Sequence, residues 1–401
     1  MTAFGELWET LLPVGRSPDG GGYLRYGWST VDLECRAWFT AEAKARGLAV
    51  ETDTNGNLWA WLGDPAAGDA VVTGSHFDSV PHGGAYDGPL GIVSAFLALD
   101  ELRARKAYPT RPIGVVAFAE EEGSRFGVAC LGSRLLTGTI EPDRARGLRD
   151  AGGVTLAAAM AGAGVDPAGL GADPARLAGI GHAVELHIEQ GRALAELDAA
   201  VGVASAIWPH GRWRFDFTGT GNHAGTTRMA DRRDPMLTYA YTVLAANKEA
   251  RLRGAHATVG RVHAVPNATN AIPSAVNGWL DARAADAESL DALVAAVAGK
   301  ARDRAGRDGT TVAVTAESVS PVTEFHSGLR DRIAAILGGA PILPTGAGHD
   351  AGVLAAFVPT AMLFVRNPTG TSHAPAEHAT EADCTAGVTA LADVLEELAC
   401  R

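Results

Sequence analysis

The apolar positions change period several times along the chain, and each change marks an element. In VDLECRAWFTAEAKARGL, residues 31–48, Leu33, Ala37, Trp38 and Ala41 recur at helical spacing and the run ends on Gly47, predicting a helix with a glycine C-cap. NLWAWLG and AVVTGSH follow and read as strands closing on turn residues. From Leu90 the period returns to that of a helix, with Ile92, Ala95, Phe96 and Leu99 on one face, and IGVVAFA at 113–119 predicts the next strand. A strand, a helix and a strand joined by a crossover of this length predict a mostly parallel sheet covered by helices. In such sheets the chemistry collects beyond the carboxyl ends of the strands.

Residues 152–180 are rich in Ala and Gly, with Asp166-Pro167 and Asp173-Pro174 as turn signals, and predict small helices joined by loops. Around residue 211 the character changes. RWRFDFTG alternates like a half-buried strand, PMLTYAYTVLAANKEARL is helical, and ATVGRVHAV, SAVNGWLDARAA and TVAVTAESV add strands, with helical ESLDALVAAVAGKARDRA between the last two. Four strands and two helices make a small α+β sandwich. It is expected to span residues 211–323 and to interrupt an α/β domain formed by 1–210 and 324–401. After Phe325 the α/β pattern resumes with helical LRDRIAAIL, then TAMLFV as a strand and a last helix from about 380.

Composition narrows the class. With 401 residues there is ample chain for two cores, and 34 basic against 46 acidic residues leave a formal charge of -12, which disfavours nucleic acid or an anionic membrane as partner. Cys35, Cys130, Cys384 and Cys400 have neither CxxC nor CxC spacing, so no zinc ribbon or redox pair is predicted. The N-terminus carries acids where a leader peptide needs early positive charge, and no stretch approaches about 18 uncharged apolar residues, the length of a membrane span. A reduced, cytoplasmic protein is expected.

The candidate chemistry falls where the fold class puts a site. GSHFDSVPHGGAYDGPLGI at 74–92 places His76, Asp78 and Asp87 just past a strand. Asp78, two residues from His76, is spaced to orient a metal-bound imidazole, and Gly83-Gly84 lets the backbone bring Asp87 back toward the ring. Histidine with aspartate suits zinc, manganese or similar ions better than calcium or magnesium, while a turn held by Asp side chains is the alternative. Glu120, Glu121 and Glu122 follow the next strand and read either as a solvated acidic loop or as one metal ligand beside one base. His187 in VELHIEQ and His373 in GTSHAPAEH complete a set of five candidate ligands, enough for two metals.

The strings GSHFDSVPHGGAYDGPLG, EEEGSRFG, ELHIEQG, NHAGTT, PNATNAIP with DAR, and GAGHDA with SHAPAE stand in the order and approximate spacing of one family. From about residue 20 to the C-terminus the chain resembles the N-carbamoyl-L-amino-acid hydrolases and allantoate amidohydrolases, relatives of two-metal zinc aminoacylases and peptidases. The resemblance implies a zinc-peptidase-like catalytic domain with an inserted lid and dimerisation domain. It implies one divalent ion on His76 and His187, a second on Glu122 and His373, and Asp87 between them, with zinc or manganese favoured and cobalt or nickel admissible. Glu121 becomes the general base, taking a proton from the attacking water and returning it to the leaving nitrogen, and Asp78 supports His76. Gln190, His223, Asn270 and Arg283 become substrate-binding residues. Arginine suits a carboxylate through its planar fork, and His223 is placed to donate to a developing oxyanion. Arg283 also reads as half of a strand ion pair with Asp281.

The implied reaction is hydrolysis of a ureido C–N bond in a small carboxylate-bearing substrate, releasing ammonia and carbon dioxide, in a homodimer joined through the inserted domain. An N-acyl amino acid amidase or dipeptidase is the alternative within the same chemistry, although those peptidases usually carry a carboxylate where His187 stands. A non-catalytic binding protein on the same scaffold is a further alternative. Three positions depart from the family pattern: Arg192 and Arg228 stand where proline is usual, and Arg366-Asn367 where a Pro-Ser pair is common. Added positive charge near the site would favour a substrate with an additional acid group, or a different ureido compound.

Overall fold

The computed structural model describes residues 2–401. It divides into two compact units: the chain up to Ala206 together with Glu324–Arg401, and Ile207–Thr323.

The strands, numbered along the chain, begin with β1 (Ala49–Thr52), β2 (Leu58–Leu62), β3 (Ala70–His76), β4 (Ile113–Phe118), β5 (Ile180–Ile188) and β6 (Val201–Ile207). Next come β7 (His210–Thr218), β8 (Asn222–His223), β9 (His256–Val265), β10 (Ala271–Ile272), β11 (Ala275–Arg283) and β12 (Thr311–Ser320). The last are β13 (Thr323–Glu324), β14 (Ile342–Thr345) and β15 (Thr360–Val365). The larger sheet has nine strands in the order β1-β2-β4-β3-β5-β15-β6-β13, with β14 also on β6. Its centre, β4-β3-β5-β15, is parallel, while β2 joins β4 and β6 joins β15 antiparallel, so the sheet is mixed.

The central strands are buried on both faces, as a parallel sheet between helices requires: every residue of β3, β4 and β15 is buried. One face packs on Phe39, Phe96 and the helices Pro89–Arg105 and Glu381–Ala399, and the other on the stacked Trp59 and Trp61 with Phe118 and Leu354. The helix predicted as amphipathic from Leu90 is instead enclosed, with twelve of its 17 residues buried. It starts where Pro89 supplies a preset φ and no unpaired N–H. Gly91 lets it press against the Leu186 carbonyl of β5.

The parallel strands all run one way, so the segments leaving His76, Phe118, Ile188 and Val365 emerge along one rim. The ends of β3 and β5 and the segments that leave β3, β4 and β15 carry every candidate ligand. Among the described residues, no helix is long and apolar enough to cross a membrane.

The second unit is an antiparallel sheet in the order β12-β7-β11-β9. Trp213, Phe215 and Phe217 alternate inward on β7, as Val276, Leu280 and Ala282 do on β11, and pack beneath the helices Pro235–Arg253 and Ala287–Asp308. A bulge between Trp279 and Leu280 shifts the β11–β9 register.

Candidate metal centre

β3 ends on His76 and β5 carries His187 one position from its end, which brings the two rings to a centroid distance of 5.9 Å. Each ring is fixed by a backbone carbonyl: His76 Nδ1 lies 2.9 Å from the Asp78 oxygen and His187 Nδ1 2.9 Å from that of Ile188. A carbonyl only accepts, so Nδ1 carries the proton in both rings and Nε2 presents a lone pair. Both Nε2 atoms are buried with no hydrogen-bond partner.

Asp87 fills the space between them. Its Oδ1 lies 3.5 Å from His76 Nε2 and 3.2 Å from His187 Nε2, and its Oδ2 lies 3.3 Å from His373 Nε2. Glu122 Oε1, also buried and unpartnered, stands 3.6 Å from the same His373 nitrogen. One carboxylate therefore faces a pair of histidines with one oxygen and a histidine–glutamate pair with the other. The donor atoms of His76, Asp87 and His187 lie within 4.8 Å of one another, as do those of Asp87, Glu122 and His373. Orphaned imidazole and carboxylate lone pairs, buried together, fit divalent cations of the zinc or manganese kind. A third grouping, Glu185, His187 and His349, is equally close, but both Glu185 oxygens are engaged, by the Ser75 hydroxyl and the Ala351 N–H.

The glycines of the 74–92 loop act differently from the expected hinge. Past His76 the left-handed positions of this stretch are His82 (φ 57°) and Gly88 (φ 86°), not Gly83 or Gly84. A Cβ on Gly88 would come within 2.6 Å of the His76 ring, and one on Gly84 would overlap the Glu377 carboxylate. Asp78 also differs from expectation. Its carbonyl meets the His76 ring, while its carboxylate, 3.7 Å from Nδ1, accepts the N–H groups of Glu121 (3.0 Å) and Glu122 (2.9 Å). That clamp fixes the glutamate loop against β3.

Of the three glutamates, Glu120 turns away: it adopts φ 55° and its Oε1 accepts the N–H groups of Arg125 and Phe126, both at 2.9 Å. Glu121 Oε2 lies 3.8 Å from His76 Nε2, and its Oε1 accepts the Cys130 thiol at 3.2 Å. Burial, reinforced by Asp350, Glu122 and Asp78 against the pull of His76, raises the Glu121 pKa well above the usual carboxylate range. Burial and then Asp87 push Glu122 up to about 7. At His76, burial opposes the charge, yet Asp87, Glu121 and Asp78 outweigh it and raise the pKa. Positive charge beside Glu121 and Glu122 would act against this upward shift, while, against burial, the neighbouring histidines already hold Asp87 well below the usual carboxylate range.

In the second unit β8 pairs with β10, placing His223 opposite Ala271, and the Ala224 N–H donates to the Asn270 carbonyl at 2.9 Å. His223 and Asn270 are thus neighbours. His223 Nδ1 accepts the Gly225 N–H at 3.0 Å, leaving its Nε2 outward on an exposed residue. Arg283 is not with them. It closes β11, eight residues beyond Ala275, the end nearest that pair, or about 26 Å at the usual strand rise. Its guanidinium meets Asp281 at 2.9 Å.

Residues 72–397 match the model of peptidase family M20/M25/M40. The chain belongs to that family. Among its M20 relatives, the N-carbamoyl-L-amino acid amidohydrolase of Geobacillus stearothermophilus is 36% identical and matches across 98% of both chains. The allantoate amidohydrolase of Escherichia coli (strain K12) is 33% identical across 100% of this chain and 99% of its own. A hydantoinase/carbamoylase family amidase from Burkholderia vietnamiensis superposes with a TM-score of 0.87 at 31% identity, covering 99% and 98% of the two chains.

Arg192, Arg228 and Arg366-Asn367, expected from the resemblance to depart from the family pattern, have different surroundings. Arg366 points away from the ligands into an ion pair with buried Asp383 at 2.7 Å and with Asp198 at 3.0 Å, so it adds no charge to the site. Asn367 is fully buried and shapes the turn leading to His373, accepting the N–H groups of Thr369 and Gly370 and donating to the Thr371 carbonyl. Arg228 is exposed in the second unit and pairs with Asp231 at 2.7 Å. Arg192 stays near the His373 loop: its stem lies against Gly370 and its guanidinium, 3.4 Å from Glu196, is mostly exposed.

Gln190 donates to Asp87 Oδ2 at 2.8 Å and reaches Ser372 and His373. Three neighbours escaped the sequence reading. His349 packs its ring 4.5 Å from that of His187 and is held neutral by burial and by the adjoining His187. Ser372 and Glu377 join the Asp87 and His373 segments. Both His349 and Glu377 stand in strings quoted for the resemblance, GAGHDA and SHAPAE, which was the available signal.

Proposed function

We propose that this protein hydrolyses a ureido C–N bond of a small, carboxylate-bearing substrate, an N-carbamoyl-L-amino acid or an allantoate-type ureido acid. Water adds to the ureido carbon, the C–N bond breaks, and the carbamate loses carbon dioxide, so that one water yields amine, ammonia and carbon dioxide. The supporting observation is the Asp87 carboxylate, set between two groups of unpartnered buried donors. Relatives named as carbamoyl-amino-acid and allantoate amidohydrolases cover the whole chain and point to the same substrate class.

In this reading His76, Asp87 and His187 hold one divalent ion and Asp87, Glu122 and His373 a second, zinc or manganese being favoured over cobalt or nickel. Bound there, the ions supply Lewis acidity toward the carbonyl and toward water. Glu121 is the proton carrier: it takes the proton of the attacking water and delivers it to the leaving nitrogen. Asp78 holds the Glu121 and Glu122 amides, and Gln190 keeps Asp87 turned toward both histidine groups. Arg283 grips the substrate carboxylate, and His223 with Asn270 steadies the oxyanion. The inserted unit is assigned the roles of lid and of the surface that joins two copies into a homodimer.

Ammonia release from N-carbamoyl-L-amino acids and allantoate, against acid release from N-acetyl-L-amino acids, tests the reading. Metal-dependent ammonia from a ureido substrate is the expected result. Hydrolysis confined to the acyl substrates would assign the protein to the aminoacylase side.

A further inference from the structure

Glu377 lies outside both groups of candidate ligands and is 5% exposed, yet it touches the segments that carry two of them. Its Oε1 accepts the N–H of Tyr86 at 2.9 Å and that of Asp87 at 3.0 Å. Its Oε2 accepts the Ser372 hydroxyl at 3.3 Å, and that hydroxyl also lies 3.3 Å from Asp87 Oδ2. Gly84 makes room for this carboxylate, since a Cβ there would occupy the same space. A buried carboxylate served by two backbone amides and a hydroxyl is well placed to fix a turn, because each bond to a charged acceptor is stronger than a neutral one.

We infer that Glu377 is a positioning residue that locks the bridging Asp87 to the His373 loop and so completes the second cation site. The inference rests on the two-cation reading. The two sites depend on it unequally. His76 and His187 are set by β3 and β5 and by their own carbonyl contacts, which do not involve Glu377. His373 stands on an irregular loop at φ 56°, half exposed, and it is tied to Asp87 by Gln190 on one side and by Ser372 and Glu377 on the other. Both sites share Asp87, but only the second also depends on the His373 loop, so loss of Glu377 weakens the Asp87–Glu122–His373 site more than the site that His76 and His187 form with Asp87.

The test is titration of chelated full-length protein with zinc, counting bound metal per chain and measuring each affinity. The wild type is expected to hold two ions. Glu377→Ala is expected to weaken the second by about 10–100-fold, the usual range for loss of a residue that supports a ligand. Glu377→Gln keeps an acceptor for both amides and is expected to retain both ions. Gly84→Ala displaces the same carboxylate from a separate segment whose φ alanine tolerates, and is expected to copy Glu377→Ala, so the result does not depend on one variant folding. Wild-type affinity for the second ion in both alanine variants would overturn the inference, as would equal loss in Glu377→Gln and Glu377→Ala. A wild type that holds a single ion would instead refute the two-cation reading, taking this inference with it.

Discussion

Replacing Arg366 with alanine separates two roles for its charge, stabilising the fold and acting on substrate. The Arg366 Nε and Nη2 groups donate to Asp383 Oδ1 at 3.0 and 2.7 Å, and Nη1 donates to Asp198 at 3.0 Å. The Asp198 side chain is 98% exposed, so that contact contributes less than about 0.5 kcal/mol. Asp383 is 2% exposed, and without Arg366 its Oδ1 loses both donors while Oδ2 keeps the Thr380 hydroxyl at 2.6 Å. Removing one member of a buried ion pair costs about 3–5 kcal/mol, and the remaining Thr380 bond and the partial exposure of Arg366 reduce this to about 2–3 kcal/mol. Urea unfolding followed by tryptophan fluorescence reads the loss, and Asp383→Asn in the same background should recover about 1 kcal/mol by removing the stranded charge. The ratio of kcat/KM for carbamoyl-aspartate and carbamoyl-valine should not change. A loss below about 0.5 kcal/mol together with a shifted ratio would refute the structural assignment.

Three further outcomes are expected. Glu121→Gln should lower kcat by about 10²–10⁴ while bound metal stays at the wild-type level, and a fall in metal content would reassign Glu121 as a ligand. Asn367→Ala strands buried backbone groups in the turn before His373 and should cost about 2–4 kcal/mol in urea unfolding, with weaker binding of the second ion; unchanged stability would show that the turn holds itself. Gly88→Ala puts a side chain at φ 86° against the His76 ring and should cost about 1–3 kcal/mol from backbone strain alone, together with loss of metal; a stable, metal-replete variant would contradict the packing described.

The parallel core and the rim that gathers the ligands were legible because β4 and β15 are short, mostly apolar runs and β3 opens on an apolar run and ends on His76. β6 and β14 escaped because VGVASAI and ILPT are short and lack a bulky alternating pattern. The helix Pro89–Arg105 kept its place but not its predicted one-sided burial, since Gly91 and Ser94, which look polar or neutral in sequence, are faces for close packing. The proximity of His76, Asp87, His187, Glu122 and His373 could be anticipated from strand ends. Side-chain direction could not: the two-residue spacing of His76 and Asp78 allows either the carbonyl or the carboxylate to meet the ring. Arg366 follows a strand buried on both faces, where alternation carries no information about which way a side chain leaves. Glu377 is invisible as a support because its partners are backbone amides 290 residues away in sequence.

Joint titration of chelated wild type and Asp87→Asn with manganese or zinc, recording bound metal and ammonia release from a ureido substrate, bears most directly on the bridging carboxylate. The account predicts that wild-type activity appears as two ions fill and that Asp87→Asn binds fewer ions and stays inactive. Full metal content and full activity in Asp87→Asn, or undiminished activity in the chelated wild type, would contradict it.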